Sequence, residues 1–256
     1  MLVSILGGVL INEIIARQGG WLFRWRSYVL LGFVPFMYLA INQPEPIEVN
    51  FGSLADSFYG AVCVTIAFFG LAIRALTVGF VPAETSGRNT TEQLAFSLNV
   101  TGLYSLTRNP LYLGNAIIYM AVALFTQSIW FVALMLLFLI LYLERIIAAE
   151  ERYLRGRFGE AYLKWASDVA VFIPNFSGWT KPALGFSFRT VLRREYSGLF
   201  GIIVTFFVID SARDFLVQNR GETDADWLAV LIVGAFVYVV LRWLKKHTQV
   251  LNVDGR

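Results

Sequence analysis

The chain contains one cysteine and one histidine. Cys63 alone can form no intramolecular disulfide and no cysteine-based zinc site. His247, near the C-terminus, leaves histidine-based nucleophilic catalysis and multi-histidine metal centres without the residues they need, so no metal site is expected. Charge is scarce as well. Only 15% of the 256 residues are Asp, Glu, Lys or Arg, against about 25% in ordinary soluble domains. Apolar residues fill the gap: 57% of the chain is hydrophobic, 16% aromatic, and the mean hydropathy is +0.62.

The apolar residues are gathered in runs near membrane-spanning length. The expected fold is therefore all-α, a polytopic bundle of about six transmembrane helices with a central helical hairpin. It is read as a single membrane domain over residues 1–256. Within it, 1–100 holds the N-terminal spans and a polar connection, 101–174 a core, and 175–256 the C-terminal spans. Residues 1–16 are apolar but broken by Gly7, Gly8, Asn12 and Glu13. They lack a signal-peptide cleavage pattern and read as an interfacial helix. The six expected spans are centred on residues 27–41, 58–80, 111–125, 129–147, 197–209 and 227–244. Thr126, Gln127 and Ser128 form a tight turn that sends the fourth span back against the third. Residues 43–56 read as a base-free loop, and 210–226 as an acidic one.

The basic residues follow a pattern. A pI near 9.0 can indicate nucleic acid. Here the bases flank apolar runs, so they report topology and lipid contact, and no nucleic-acid partner is expected. Nine Lys or Arg lie between residues 144 and 195. With both termini cytoplasmic, the basic segments fall inside and the base-free and acidic loops outside, as the positive-inside rule requires. The segments around Arg108 and Glu150 then share the cytoplasmic side.

Those two segments carry the chemistry. Residues 101–114 read TGLYSLTRNPLYLG, and residues 150–174 read EERYLRGRFGEAYLKWASDVAVFIP. Pro110 suits the first turn of a helix, and the amides after it, from Leu111 to Gly114, have no intrahelical partner and favour an anion. A plain proline helix start explains that stretch equally well. Glu150 and Glu151 follow a long apolar run, where acids at a helix end oppose the macrodipole. They read either as a solvated, ion-paired helix end or as a polar site, with Glu150 able to orient Arg145. Arg74 lies inside the second span. It either snorkels to the surface or faces the bundle and holds an anion. Arg88 and Asn89 read as a phosphate grip or as an ordinary basic loop. Tyr104 and Arg108 share a face if helical, and Tyr104, Tyr112 and Tyr162 also fit interfacial packing.

RNPLYLG, a helical hairpin and then EE-x-x-L-x-x-x-FG-x-x-Y resemble the isoprenylcysteine carboxyl methyltransferase and phospholipid methyltransferase superfamily of integral membrane enzymes. The resemblance covers about residues 102–174. GLAIRALTVGFVPAETSGRNT, residues 70–90, is more weakly similar to the lipid A phosphate methyltransferase branch. The family usually has R-H-P where this chain has Arg108, Asn109 and Pro110, and an amide cannot become cationic. The resemblance implies S-adenosyl-L-methionine as cofactor, bound by Tyr104, Arg108, Asn109, Pro110, Leu111, Tyr112, Gly114 and Glu151. It implies Arg145 and Glu150 as catalytic residues, while Arg74, Arg88 and Asn89, read by their charge and placement, are the expected substrate-binding ones. The expected reaction is methylation of a lipid or lipidated acceptor. An anionic carboxylate or phosphate is preferred, because such a nucleophile needs no general base and the chain is poor in histidine. A phospholipid amine is the alternative within the class. An NADPH-dependent membrane reductase and a non-enzymatic lipid transporter or scaffold are the alternatives outside it.

Overall fold

The computed structural model describes residues 11–26, 28–82, 97–217 and 225–256, without the side chains of 11 and 12. Arg88 and Asn89 lie outside these residues, as does most of the expected interfacial segment 1–16. Among the described residues the chain is all-helical.

Helix α1, Ile11–Trp25, is followed by a 3-10 turn, Val29–Phe33, and α2, Val34–Ile41. The single span expected over residues 27–41 is thus not formed. Pro35 stands in the first turn of α2 and starts a new helix. With the adjoining 3-10 turn, the helical stretch 29–41 covers about 22 Å, short of a bilayer core of about 30 Å. The expected loop 43–56 instead holds α3, Pro46–Phe51, and the start of α4, Ser53–Phe80. Two further helices, α5, Pro110–Phe125, and α6, Ile129–Phe158, form the expected hairpin. Gln127 adopts φ 56 to turn the chain between them, and the Thr126 hydroxyl closes the turn by donating to the Ala123 carbonyl at 2.7 Å.

Helix α6 does not stop where its apolar run stops. It continues through Glu150 and Glu151 to Phe158, because glutamate, arginine, leucine and alanine all favour helix. The two glutamates are therefore not at a helix C-terminus, and the dipole argument for them falls away. Gly159 at φ 54 ends the helix, and the short α7, Glu160–Asp168, follows. Helix α8, Phe188–Leu216, begins nine residues before the expected fifth span and takes Asp210, Arg213 and Asp214 out of the expected acidic loop. Helix α9 is Ala225–His247.

Three of these helices, α4, α6 and α9, are long and apolar enough to cross a membrane, while the apolar α5 is shorter. Ile232, Val233, Phe236 and Val239 on α9 are exposed, as a lipid-facing surface requires.

Glycine sets the tightest helix contacts. A Cβ on Gly70 of α4 would sit 2.7 Å from the Gly114 carbonyl oxygen of α5, and one on Gly114 would sit 2.7 Å from that of Gly70. Gly19 brings α1 onto α6 still more closely, its notional Cβ falling 1.8 Å from the Arg145 carbonyl oxygen. Two apolar cores result. One gathers Phe131, Leu139 and Ile146 of α6 with Phe23 of α1, and the other Ala67 of α4, Ala121 of α5 and Phe206 and Ile209 of α8.

The end of the bundle formed by the α5–α6 turn is closed by charge. Arg213 of α8 pairs with Glu45, both buried, and donates to the Phe125 carbonyl at 3.0 Å. Gln127 donates to Asp56 and accepts from the Ile47 amide at 3.0 Å. The helix ends at the opposite side of the bundle enclose the site.

Candidate functional site

The chain before α5 is stitched to the chain after α7. The Arg108 amide donates to the Ala170 carbonyl at 2.8 Å, and the Asn175 amide to the Leu106 carbonyl at 2.9 Å. The Thr107 hydroxyl donates to the Phe172 carbonyl at 3.0 Å. The Asn109 side-chain amide donates to the Val171 carbonyl at 2.9 Å. Asn109 also caps α5 as its N-cap residue, followed by the fully buried Pro110. This cross-stitching holds the two polar motifs together, and the Asn109 side-chain N–H ties down a backbone carbonyl within it.

A cavity of about 790 Å³ opens between these segments, within the span of about 300–1,000 Å³ usual for small-molecule sites. One end is polar. Its wall includes Arg26, Tyr104, Arg108, Asn109, Tyr112 and Glu150, and it continues to Arg74, Asn115, Arg194 and Glu195. The rest is apolar, lined by α2, α5, α6 and α8, and it reaches Leu31, Val34 and Gly201 on the exposed surface.

Each expected site residue among the described ones can now be placed. Arg74, Tyr104, Arg108, Asn109, Pro110, Leu111, Tyr112 and Glu150 all line this cavity. The Tyr112 hydroxyl donates to Glu150 Oε1 at 2.9 Å. Tyr104 does not share an α-helix with Arg108; it sits in the 3-10 turn Gly102–Ser105. Burial pushes its hydroxyl well above the usual tyrosine range, helped by Glu150 and opposed by Arg194 and Arg74, so it stays neutral.

Glu151 stands behind the wall, where its Oε1 lies 2.8 Å from Arg108 Nη1. It braces the arginine from the side away from the cavity. Tyr162 of α7 joins this pair. Burial pushes its hydroxyl up to about 12, with further effects from Glu151 and Arg108.

Gly114 is not in the cavity wall. Its open side is filled by the α4 backbone and by Arg74, whose Cγ would be 2.6 Å from a Cβ there. The glycine lets the arginine stem cross α5, in place of the close cofactor approach expected of it. Arg145 is also elsewhere. It faces α1, donating from Nε to Gln18 at 3.1 Å and from Nη1 to the Leu141 carbonyl at 2.9 Å. The expected Glu150–Arg145 partnership is replaced by Glu150–Tyr112. His247 packs beside Trp243 with ring centroids 5.9 Å apart, at the end of α9.

Sequence reasoning missed several wall residues. Glu195 is buried and grips Arg74 through both carboxylate oxygens, at 2.9 Å to Nε and 3.0 Å to Nη2. Asn115 accepts from Arg74 Nη1 at 2.7 Å. Asn115 was legible as a polar residue one turn into α5, but Glu195 sits in a charged run that reads as a connection. Trp165 of α7 was equally silent.

Two donors in the wall lack protein partners. Among the described residues, Arg108 Nε and Trp165 Nε1 are buried without a hydrogen-bond partner. A buried donor left unpaired costs about 1–3 kcal/mol. Both residues line the cavity; the two nitrogens are themselves covered, so a ligand's acceptor atoms pair with them after a small side-chain shift. A nucleoside bearing an amino-acid tail offers acceptors of this kind and hydroxyls that match Glu150.

Residues 60–161 match the family model described as phospholipid methyltransferase. The nickel-cobalt-cadmium resistance protein NccN of Alcaligenes xylosoxydans xylosoxydans is 28% identical over 122 residues, 48% of this chain and 54% of that protein. The chain thus matches about half the length of this curated relative. No solved structure matches. The family segment runs from α4 through the hairpin into α7, and supplies Arg74, Arg108, Asn109, Tyr112 and Glu150. The match therefore bears out, over residues 60–161, the resemblance to the isoprenylcysteine carboxyl methyltransferase and phospholipid methyltransferase superfamily, and supports a membrane methyltransferase in general.

Proposed function

We propose that this chain transfers a methyl group from S-adenosylmethionine to a membrane-embedded amphipathic acceptor whose reacting group is an anionic carboxylate or phosphate. The observation that carries the reading is the shape of the cavity. Its polar end is built from both motif segments, and its apolar length leads to the outer surface at Leu31, Val34 and Gly201. A lipid tail fits the apolar length while its head group reaches the polar end.

The residues present fit the cofactor. Arg108 Nε and Trp165 Nε1 offer unpaired donors, the amides of Leu111 and Tyr112 at the start of α5 favour a carboxylate, and Glu150 accepts from hydroxyl or amino groups. When bound, the cofactor supplies an electrophilic methyl: a C–O bond forms at the acceptor oxygen while the C–S bond breaks and its electron pair leaves on sulfur as a neutral thioether. The protein's part is alignment, which can supply several kcal/mol of such a displacement. An ionised acceptor needs no base, and the described cavity wall holds no histidine. Four arginines against two glutamates in the wall favour an anion over an amine. Arg74 holds that anion from the wall. Arg88 and Asn89 are proposed as its partners from the connection before α5.

The polar end belongs on the cytoplasmic side. Helix α6 runs to that end through Glu150, and α9 reaches it with Lys245 over the Tyr196 ring of α8; the two helix ends carry Arg152, Arg155, Arg157, Lys245 and Lys246, as the positive-inside rule requires.

The test is incubation of the purified protein with methyl-labelled S-adenosylmethionine and a total lipid extract. A labelled methyl ester supports the reading. A labelled N-methyl amine turns it to the amine alternative, and the absence of any labelled product contradicts both.

A further inference from the structure

Arg74 cannot be treated as a bare cation. Its Nε and Nη2 are taken by both oxygens of Glu195, and its Nη1 by Asn115. Glu195 is 4% exposed, so little solvent screens the pair. Of the five guanidinium hydrogens, the bonds described use three, which leaves one each on Nη1 and Nη2. The arginine stem is held by Gly114 on one helix, and its charge is balanced from another, α8. Helix α8 lies outside the family segment. The counter-charge therefore comes from the C-terminal half of the chain.

An unbalanced arginine in a water-accessible cavity would bind any small soluble anion. A carboxylate already seated on it changes that, because an incoming anion meets the repulsion of Glu195 as well as the attraction of Arg74. At low effective dielectric both effects are large. A free anion has nothing to offset the repulsion. A lipid-borne anion is already concentrated in the bilayer beside the apolar length, so its head group meets Arg74 at a high effective concentration. Selectivity by a built-in repulsive element is a general device in binding sites.

Resting on the methyltransferase reading above, we propose that Glu195 is a specificity-determining residue. It is an internal competitor for Arg74 that rejects soluble anions and admits only anionic head groups carried on an apolar chain.

The hypothesis predicts a gain of binding on mutation, which damage to the fold does not produce. Calorimetry on the full chain in dodecyl maltoside micelles would use three probes: inorganic phosphate, hexadecyl phosphate and hexadecanoate. S-adenosylhomocysteine serves as the control. The wild type should bind one or both amphiphiles and no inorganic phosphate, and the tighter amphiphile identifies phosphate or carboxylate as the head group. Glu195→Gln keeps one oxygen for the guanidinium and removes the negative charge. It should tighten amphiphile binding tenfold or more and make inorganic phosphate binding measurable, with the control within twofold. Adding Arg74→Gln should cancel the gain. An unchanged or weaker amphiphile affinity in Glu195→Gln, with the control intact, overturns the proposal and leaves the methyltransferase reading standing. Failure of the wild type to bind the control overturns that reading instead, and this proposal with it.

Discussion

The Tyr112 hydroxyl rests 2.9 Å from Glu150 Oε1, joining the first turn of one hairpin helix to the far end of the other. The two residues are 38 apart in sequence, and the hairpin folds them into one wall. Hydrogen bonds to charged groups contribute about 1.5–3 kcal/mol. Tyr112→Phe should therefore weaken S-adenosylhomocysteine binding about tenfold, by freeing the carboxylate to reorient. Glu150→Ala should cost more. Calorimetry on the two variants checks the order.

Asn109 is predicted to be a clamp. Asn109→Ala removes the donor to the Val171 carbonyl and leaves that carbonyl only the longer bond from the Thr107 hydroxyl at 3.3 Å, a loss of about 0.5–1.5 kcal/mol. The expected result is a lower Tm for the whole protein, recorded by thermal unfolding in detergent. An unchanged Tm would show that the asparagine is not needed to hold the two motif segments together.

Gly114→Ala should also destabilise. The added methyl would meet the Gly70 carbonyl oxygen at 2.7 Å and Arg74 Cγ at 2.6 Å, and overpacking of this kind costs about 1–3 kcal/mol. Gly156→Ala, near the end of α6, is the control. Nothing lies within 4 Å of its Cβ position, so alanine there should be neutral or stabilise by up to about 1 kcal/mol. Parallel unfolding curves for the two variants separate crowding from the general effect of losing a glycine.

At the opposite end of the bundle, Arg213 and Glu45 form a buried pair. Breaking such a pair from one side costs about 3–5 kcal/mol, whereas replacing both partners with apolar residues of similar size is often nearly neutral. Arg213→Met and Glu45→Leu should each lower Tm, and the double variant should recover most of the loss. Additive losses would contradict the pairing.

The parts of this architecture that were legible in the sequence are those governed by hydropathy and turn chemistry. Residues 126–128 are short and polar between two apolar runs, and they form the turn that sends α6 back along α5. Pro110 starts its helix for the reason expected of a proline in the first turn. Hydropathy fails where helix and apolar run part company. It stops α6 near Ile147, although helix-favouring charged residues carry the backbone on to Phe158. It reads the segments around Glu45, Glu195 and Arg213 as loops, so it hides the two arginine–glutamate pairs that tie α8 into the bundle. Arg145 and Glu150, five positions apart, point about 140° away from each other around a helix of 3.6 residues per turn. They face different neighbours, α1 and the cavity. Gly114 could not be assigned from sequence, because the contact that requires it comes from Gly70 and Arg74 on another helix.

The central claim is that the polar end of the cavity holds a sulfonium nucleoside. Titrating the purified protein with S-adenosylhomocysteine and, separately, with NADPH tests it most directly. The account predicts saturable binding of the first and none of the second, with Trp165→Phe weakening the first by removing its indole donor. Binding of NADPH, or of neither, would contradict it.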